Sequence, residues 1–152
     1  MDRRLLAGLE KPVWDSVALA LQQRITDAVI DSAVARTPSE FAALVPSFTA
    51  KLRQRRDGLP AIADRFYAEL SRVVDVHATN AADVASILYR DGGMVDVDLR
   101  SRAVSYFRRR FDPRETNEVR VYLHDGDDSA TVTGTTSSRI VVRVIGGNGT
   151  NT

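Results

Sequence analysis

Val74-Asp75-Val76-His77-Ala78, two residues after Arg72, is the stretch that decides the fold. Its apolar residues alternate with aspartate and histidine, a period of two that places valine, valine and alanine on one face of a half-buried strand. Before Arg72 the apolar pattern has the helical period, and after it the strand period. Val95, Val97 and Leu99 alternate with Asp96, Asp98 and Arg100, and Val119, Val121 and Leu123 alternate with Arg120, Tyr122 and His124. Asp91-Gly92-Gly93, between Ile87-Leu88-Tyr89-Arg90 and Met94-Val95, is a hairpin turn signal, because glycine takes positive φ without a Cβ penalty. A further pair is expected between Thr131-Val132-Thr133 and Ile140 to Ile145, across the loop Gly134-Thr135-Thr136-Ser137-Ser138.

Upstream, Val13, Trp14, Val17, Leu21 and Ile25 recur at spacings of three and four, which puts an apolar stripe on one helix face. A second helix is expected to start near Thr26 and to carry Ala28, Val29, Ala33 and Val34. Thr37-Pro38-Ser39-Glu40 has the form of a capping box with proline at the first helical position, followed by Phe41, Leu44 and Val45 as a core face. Pro46-Ser47 opens another helix through Phe48, Leu52 and Arg56. Asp57-Gly58-Leu59-Pro60 interrupts it, and a last helix carries Ile62, Phe66, Tyr67 and Leu70. The expectation is an α+β chain, with a helical subdomain over residues 1–72 and an antiparallel sheet of short strands over residues 73–152. No repeat with a period of 20–50 residues is visible.

Composition removes several classes of function. The 152 residues are 43% hydrophobic and 27% charged, with 21 basic and 20 acidic side chains and no cysteine. Such a chain is neither collagenous, disulfide-stapled nor wholly disordered, and it lacks the charge of a strongly basic nucleic-acid binder. It has no run of about 18 apolar residues, so no helix is expected to insert into a membrane. The apolar stretch Leu5 to Leu9 is shorter than the ~7–15 residues of a signal peptide. The glycine-rich Gly146-Gly147-Asn148-Gly149 closes a strand-like run, and the expectation is a piece of a longer protein whose sheet continues.

No side chain is assigned a catalytic, cofactor-binding or metal-ligating role. His77 and His124 both fall opposite the valine face and read as surface histidines, with no H-E-x-x-H or G-x-S-x-G around them. Gly146-Gly147-Asn148-Gly149 has neither dinucleotide-binding spacing nor a phosphate-binding lysine, and reads as a turn. Arg53, Arg55 and Arg56 lie on the polar side of a helix. In Arg108-Arg109-Arg110, strand alternation sends Arg109 to one face with Phe107 and Phe111, and the other two arginines to the opposite face with Tyr106. That arrangement can stack single-stranded nucleic acid, but a salt-bridged face accounts for it as well. Asp125, Asp127 and Asp128 gather three carboxylates on a glycine-containing turn, which can supply oxygen ligands to Ca²⁺. An Asx-rich turn is the competing reading. Gly146 to Asn151 also matches the opening of the nonapeptide calcium repeat, with Asn151 where that repeat has aspartate.

Arg55-Arg56-Asp57-Gly58-Leu59-Pro60, Val74 to Thr79, Tyr106 to Phe111, Glu118 to Asp128 and Val142 to Gly149 together resemble an internal segment of large bacterial outer-membrane, surface-antigen-like proteins. These end in a BamA/TamA-type barrel and sometimes carry a calcineurin-like phosphoesterase domain. The family's glycine-rich segment reads G-G-x-G-D-D, whereas Thr150 and Asn151 stand at the acidic positions here. The resemblance implies a non-catalytic structural or interaction module of an exported envelope protein, periplasmic or outer-membrane associated. It would connect an upstream domain to the barrel, with other domains of the same parent protein as its partners. It implies no cofactor, no nucleic acid and no insertion of this segment into the membrane. The alternatives are an accessory domain of a metal-dependent phosphoesterase and a single-stranded nucleic-acid-binding module.

Overall fold

The computed structural model describes residues 3–134 and 137–152, so Thr135 and Thr136 of the expected loop lie outside the described residues. The chain is α+β and divides into two compact units. One is Glu10–Tyr67; the other is the N-terminal stretch through Leu9 together with Ala68–Thr152. The division falls within the last helix rather than at Arg72, and the first residues group with the strands.

The helical unit contains α1 (Lys11–Arg24), α2 (Asp27–Val34), α3 (Val45–Asp57) and most of α4 (Leu59–Ser71). Pro12 and Pro46 occupy first-turn positions, where a missing donor costs nothing. Thr26 caps α2 by accepting a hydrogen bond from the Val29 amide at 3.3 Å. The capping box expected at Thr37 does not form. Pro38, in an extended conformation, is itself the residue before a 3-10 turn over Ser39–Leu44, which leaves Thr37 outside the cap. The apolar stripe of α1 is also not a core face, since Val13, Val17 and Leu21 are 42, 53 and 45% exposed. Helical period identifies residues that share a face, not whether that face is covered. Burial falls instead on Ala18, Ile30, Val34 and Tyr67, and Trp14 meets Phe66 edge-on at 5.6 Å. Arg53 to Asp31 (2.7 Å) and Arg56 to Asp27 (2.5 Å) tie α3 to α2, so two of the clustered arginines are ion-paired.

Among the described residues the β unit has seven strands: β1 (Val73–His77), β2 (Asp83–Tyr89), β3 (Val95–Ser101), β4 (Val104–Phe111), β5 (Glu118–Tyr122), β6 (Ser129–Thr133) and β7 (Val141–Ile145). They form two sheets, ordered β1-β5-β7 and β4-β3-β2-β6. The expected hairpin at Gly92-Gly93 joins β2 and β3, with φ of 73° and 75° at the glycines. The β3–β4 turn holds Arg102 and Ala103 at φ of 48° and 68°, a primed turn made without glycine.

The antiparallel expectation fails elsewhere. The β1-β5-β7 sheet is parallel throughout, and β6 lies parallel to β2 rather than against β7. Alternation assigns faces but carries no strand direction, and no two-residue turn links β6 to β7. The resulting path is a coil: β1 and β2, then β5 and β6 laid beside them, then β7 beside β5. Val73 faces Glu118 and Glu118 faces Val141, offsets of 45 and 23 residues. The longer offset contains the β3–β4 hairpin, an excursion from the first coil. The chain therefore does contain a 23-residue repeat, contrary to the reading of the sequence.

Between the sheets Val74, Val76, Ala85, Ile87, Val95, Val97, Leu99, Phe111, Val119 and Val121 make one core. Arg109 enters its margin, donating to the Ala7 carbonyl at 2.6 Å with its guanidinium 4.7 Å from the Phe111 ring centre. Arg108 and Arg110 point to the other face, as alternation requires, and pair with Asp98 (3.0 Å) and Asp96 (2.6 Å).

Two outcomes are expected. Burial alone would raise the Asp98 carboxyl, but hydrogen bonds from Arg100, Ser105 and Arg108 outweigh it and hold the group at about 2, below its ordinary 3.8. A carboxylate lowered by folding adds stability above its unfolded value, and that stability is lost as pH falls through the folded value. Urea titrations should show Asp98→Asn less stable by about 1–3 kcal/mol at pH 7, with the deficit shrinking between about pH 4 and pH 2. Replacing Arg102-Ala103 by Asn-Gly should raise stability by about 1–2 kcal/mol, because both positions are left-handed; an unchanged urea midpoint would count against the turn geometry.

Candidate functional site

The feature that sets this unit apart is one end of the coil, where β7, β6 and the turn Gly146 to Thr152 lie. Each inward-facing column can be followed from coil to coil. Val76 and Val121 are 1 and 0% exposed, yet Val144, next in that column, is 38% exposed. In the other sheet Ile87 is fully buried, while Val132 beside it is 56% exposed. Among the described residues β7 pairs with β5 alone, so valine side chains and a strand edge are open at the same end. Thr152 has begun to line β6, donating to the Asp128 carbonyl (3.0 Å) and accepting from the Ala130 amide (2.8 Å).

The opposite end is closed. The 3-10 turn Arg3–Leu6 packs beside β1, and Ala7 is buried in the core, fastened by Arg109.

Turns stack as closely as strands. Asp125 pairs with Asn148 as an isolated parallel bridge, again 23 residues apart, and the Asn148 side-chain amide donates to Asp125 Oδ1 at 2.8 Å. The Thr150 amide donates to Asp127 Oδ1 at 2.8 Å. Asp128 is buried, and its Oδ1 accepts from the Asp83 amide at 2.8 Å, while Asp83 accepts from the Thr79 amide and hydroxyl. The three carboxylates read as possible calcium ligands are thus divided among three different partners. Among the described residues no group of three histidine, cysteine or acidic side chains is disposed to hold a metal ion. Burial, followed by the negative charge of Asp83, pushes the neighbouring Tyr106 hydroxyl above the usual phenol range.

Glycine is what permits this stacking. A Cβ on Gly126 would lie 2.6 Å from the Ala81 carbonyl oxygen, and one on Gly149 would collide with the Gly126 carbonyl. Gly147 rests in the same way on the carbonyl of His124.

Beside the last turn is a shallow groove lined by Asn80, Tyr122, His124, Asp125, Ile145 and Asn148. His77 and His124, expected to be ordinary surface residues, meet at its rim with Nδ1···Nε2 at 2.9 Å. Their ring centres are 5.0 Å apart and their planes within 14°, so the rings lie edge to edge with the two nitrogens directed at one another. One ring must donate and the other accept, and nitrogens aimed along one line leave no common apex for a metal. The contact ties β1 of the first coil to the turn of the second. The sequence signal for this end was the recurrence of Val-Arg-Val at 119–121 and 142–144, with Gly126 and Gly149 at the same 23-residue spacing.

Comparisons with protein-family models, curated proteins and solved structures found no match to the chain.

Gly149→Ala should lower the melting temperature clearly more than Gly92→Ala. Both positions have positive φ, costing about 1–2 kcal/mol each, but Gly92 has nothing within 4 Å of the added methyl. Equal effects would show that the stacked carbonyl is not a constraint.

Proposed function

We propose that the chain is a non-catalytic structural and interaction module: the closed beginning of a parallel β-coil whose open end receives a further coil from another domain of the same parent protein. The observation that carries this reading is the exposure of Val132 and Val144 beside the fully buried Ile87 and Val121 of the preceding coil. Residues of a finished core do not pass from 0% to about half exposed within one strand spacing. In repeat architectures each unit buries its apolar face only against its neighbour, and the outermost units need a cover. Among the described residues the β1 end has that cover and the β7 end does not. An open strand edge joined to exposed valines is a surface for strand addition, since the edge supplies backbone hydrogen bonds and the valines supply apolar burial. The envelope setting, in the periplasm between an upstream domain and an outer-membrane barrel, enters the proposal through the resemblance of the sequence alone.

A copy of residues 130–152 joined after Thr152 supplies such a coil. Burying two valines contributes about 1.5–3 kcal/mol each, or a melting temperature higher by about 5 °C or more. Self-association measured by sedimentation should fall in parallel. A scrambled extension of equal length should change neither quantity, and the proposal fails if the patterned coil behaves like the scrambled one.

A further inference from the structure

We infer that the open end recognises its partner by glycine at one turn position, so that it accepts a parallel strand–turn segment of the form x-V-x-V-x-x-x-x-G and refuses one with a side chain at the glycine site. This rests on the reading of the open end as a docking surface and specifies what docks there. The occupant is a following coil of the same polypeptide. Continuity with the two interfaces already formed inside the β unit supports that choice.

The pattern follows from what lies beneath each position. Val142 and Val144 continue the columns of Val119 and Val121, which fixes valine at the second and fourth places of the strand. The ninth place belongs to a column of carbonyls. Gly126 lies over Ala81 and Gly149 over Gly126, each so close to the carbonyl below that a Cβ cannot be accommodated. Both have positive φ, 131° and 100°. The Gly149 carbonyl is now uppermost and sets the same demand on the next turn. The seventh place stands over Gly147, which itself lies on the His124 carbonyl too closely for any side chain. The equivalent place one coil earlier holds His124, at φ of 64°, so that place admits a side chain and sets no glycine demand of its own. The hydrogen bonds between turns do not discriminate as sharply. Asn148 takes the place of Asp125 and Thr150 that of Asp127, so several polar side chains serve there. Apolar burial gives the contact its strength, and backbone shape at the ninth-place glycine gives it selectivity.

Three 23-residue extensions, joined after Thr152 and each copied from residues 130–152, test this against the underlying reading. The first keeps the pattern, the second carries alanine at the copied Gly149 site, and the third keeps the glycines but carries serine at both copied strand valines. Melting temperature of the β unit and amide protection in β7 are measured for each. The expected result is a clear rise in both for the first, no rise for the second, and a partial rise for the third. If the alanine version stabilises as well as the first, glycine selection is wrong while the docking surface stands. If the first gives no rise, the docking surface itself is wrong.

Discussion

The constraint on which the β unit depends is the close vertical contact between successive turns. Each turn lies on the carbonyl oxygens of the one before it, at Ala81, His124 and Gly126, and glycine is the residue that allows that approach. Once the turns are seated, parallel register follows, because strands entering and leaving a stacked turn are held in step with their predecessors. The valine columns then align without further adjustment. Two sheets arise from one repeating path, and the core between them needs only Val, Ile, Leu, Ala and Phe at inward positions.

The same regularity explains why the two ends of the coil differ. A stack of identical units always has two unfinished faces, and this chain closes one with its own first residues. Arg109 is the unusual element there: a buried guanidinium on an inward position of β4 that donates to the Ala7 carbonyl and lies over the face of Phe111. Its donation to Ala7 links the closing segment to the sheet more specifically than apolar contact alone. The far end has no equivalent, and its valines and strand edge remain open among the described residues.

Much of the local structure was legible in the sequence. The change of period after Arg72, the Gly92-Gly93 turn, the Thr26 cap and the separation of Arg109 from Arg108 and Arg110 all follow from local rules, which depend only on neighbouring residues. Strand direction was not legible, because an alternating Val-x-Val reads the same in parallel and antiparallel sheets. The repeat was hidden for a different reason: the β3–β4 hairpin stretches the first coil, and the following coils share only Val-Arg-Val and one glycine in register. The pairing of His77 with His124 depends on that hidden register, so alternation alone could place both outside but could not bring them together. In the helices, Val13, Val17 and Leu21 fall on one face as read, although that face is about half exposed among the described residues.

Residue-resolved hydrogen exchange on the protein at low concentration tests the open coil most directly. The Val141 amide donates to the Asn117 carbonyl on the β5 side, so by strand alternation the amides of Val142 and Val144 face away from β5. The account predicts that Val142 and Val144 exchange rapidly, while Val141 and the β5 amides of Val119 and Val121 are protected. Protection of Val142 and Val144 equal to that of Val119 and Val121 would contradict it, because the edge would then be covered by the chain itself.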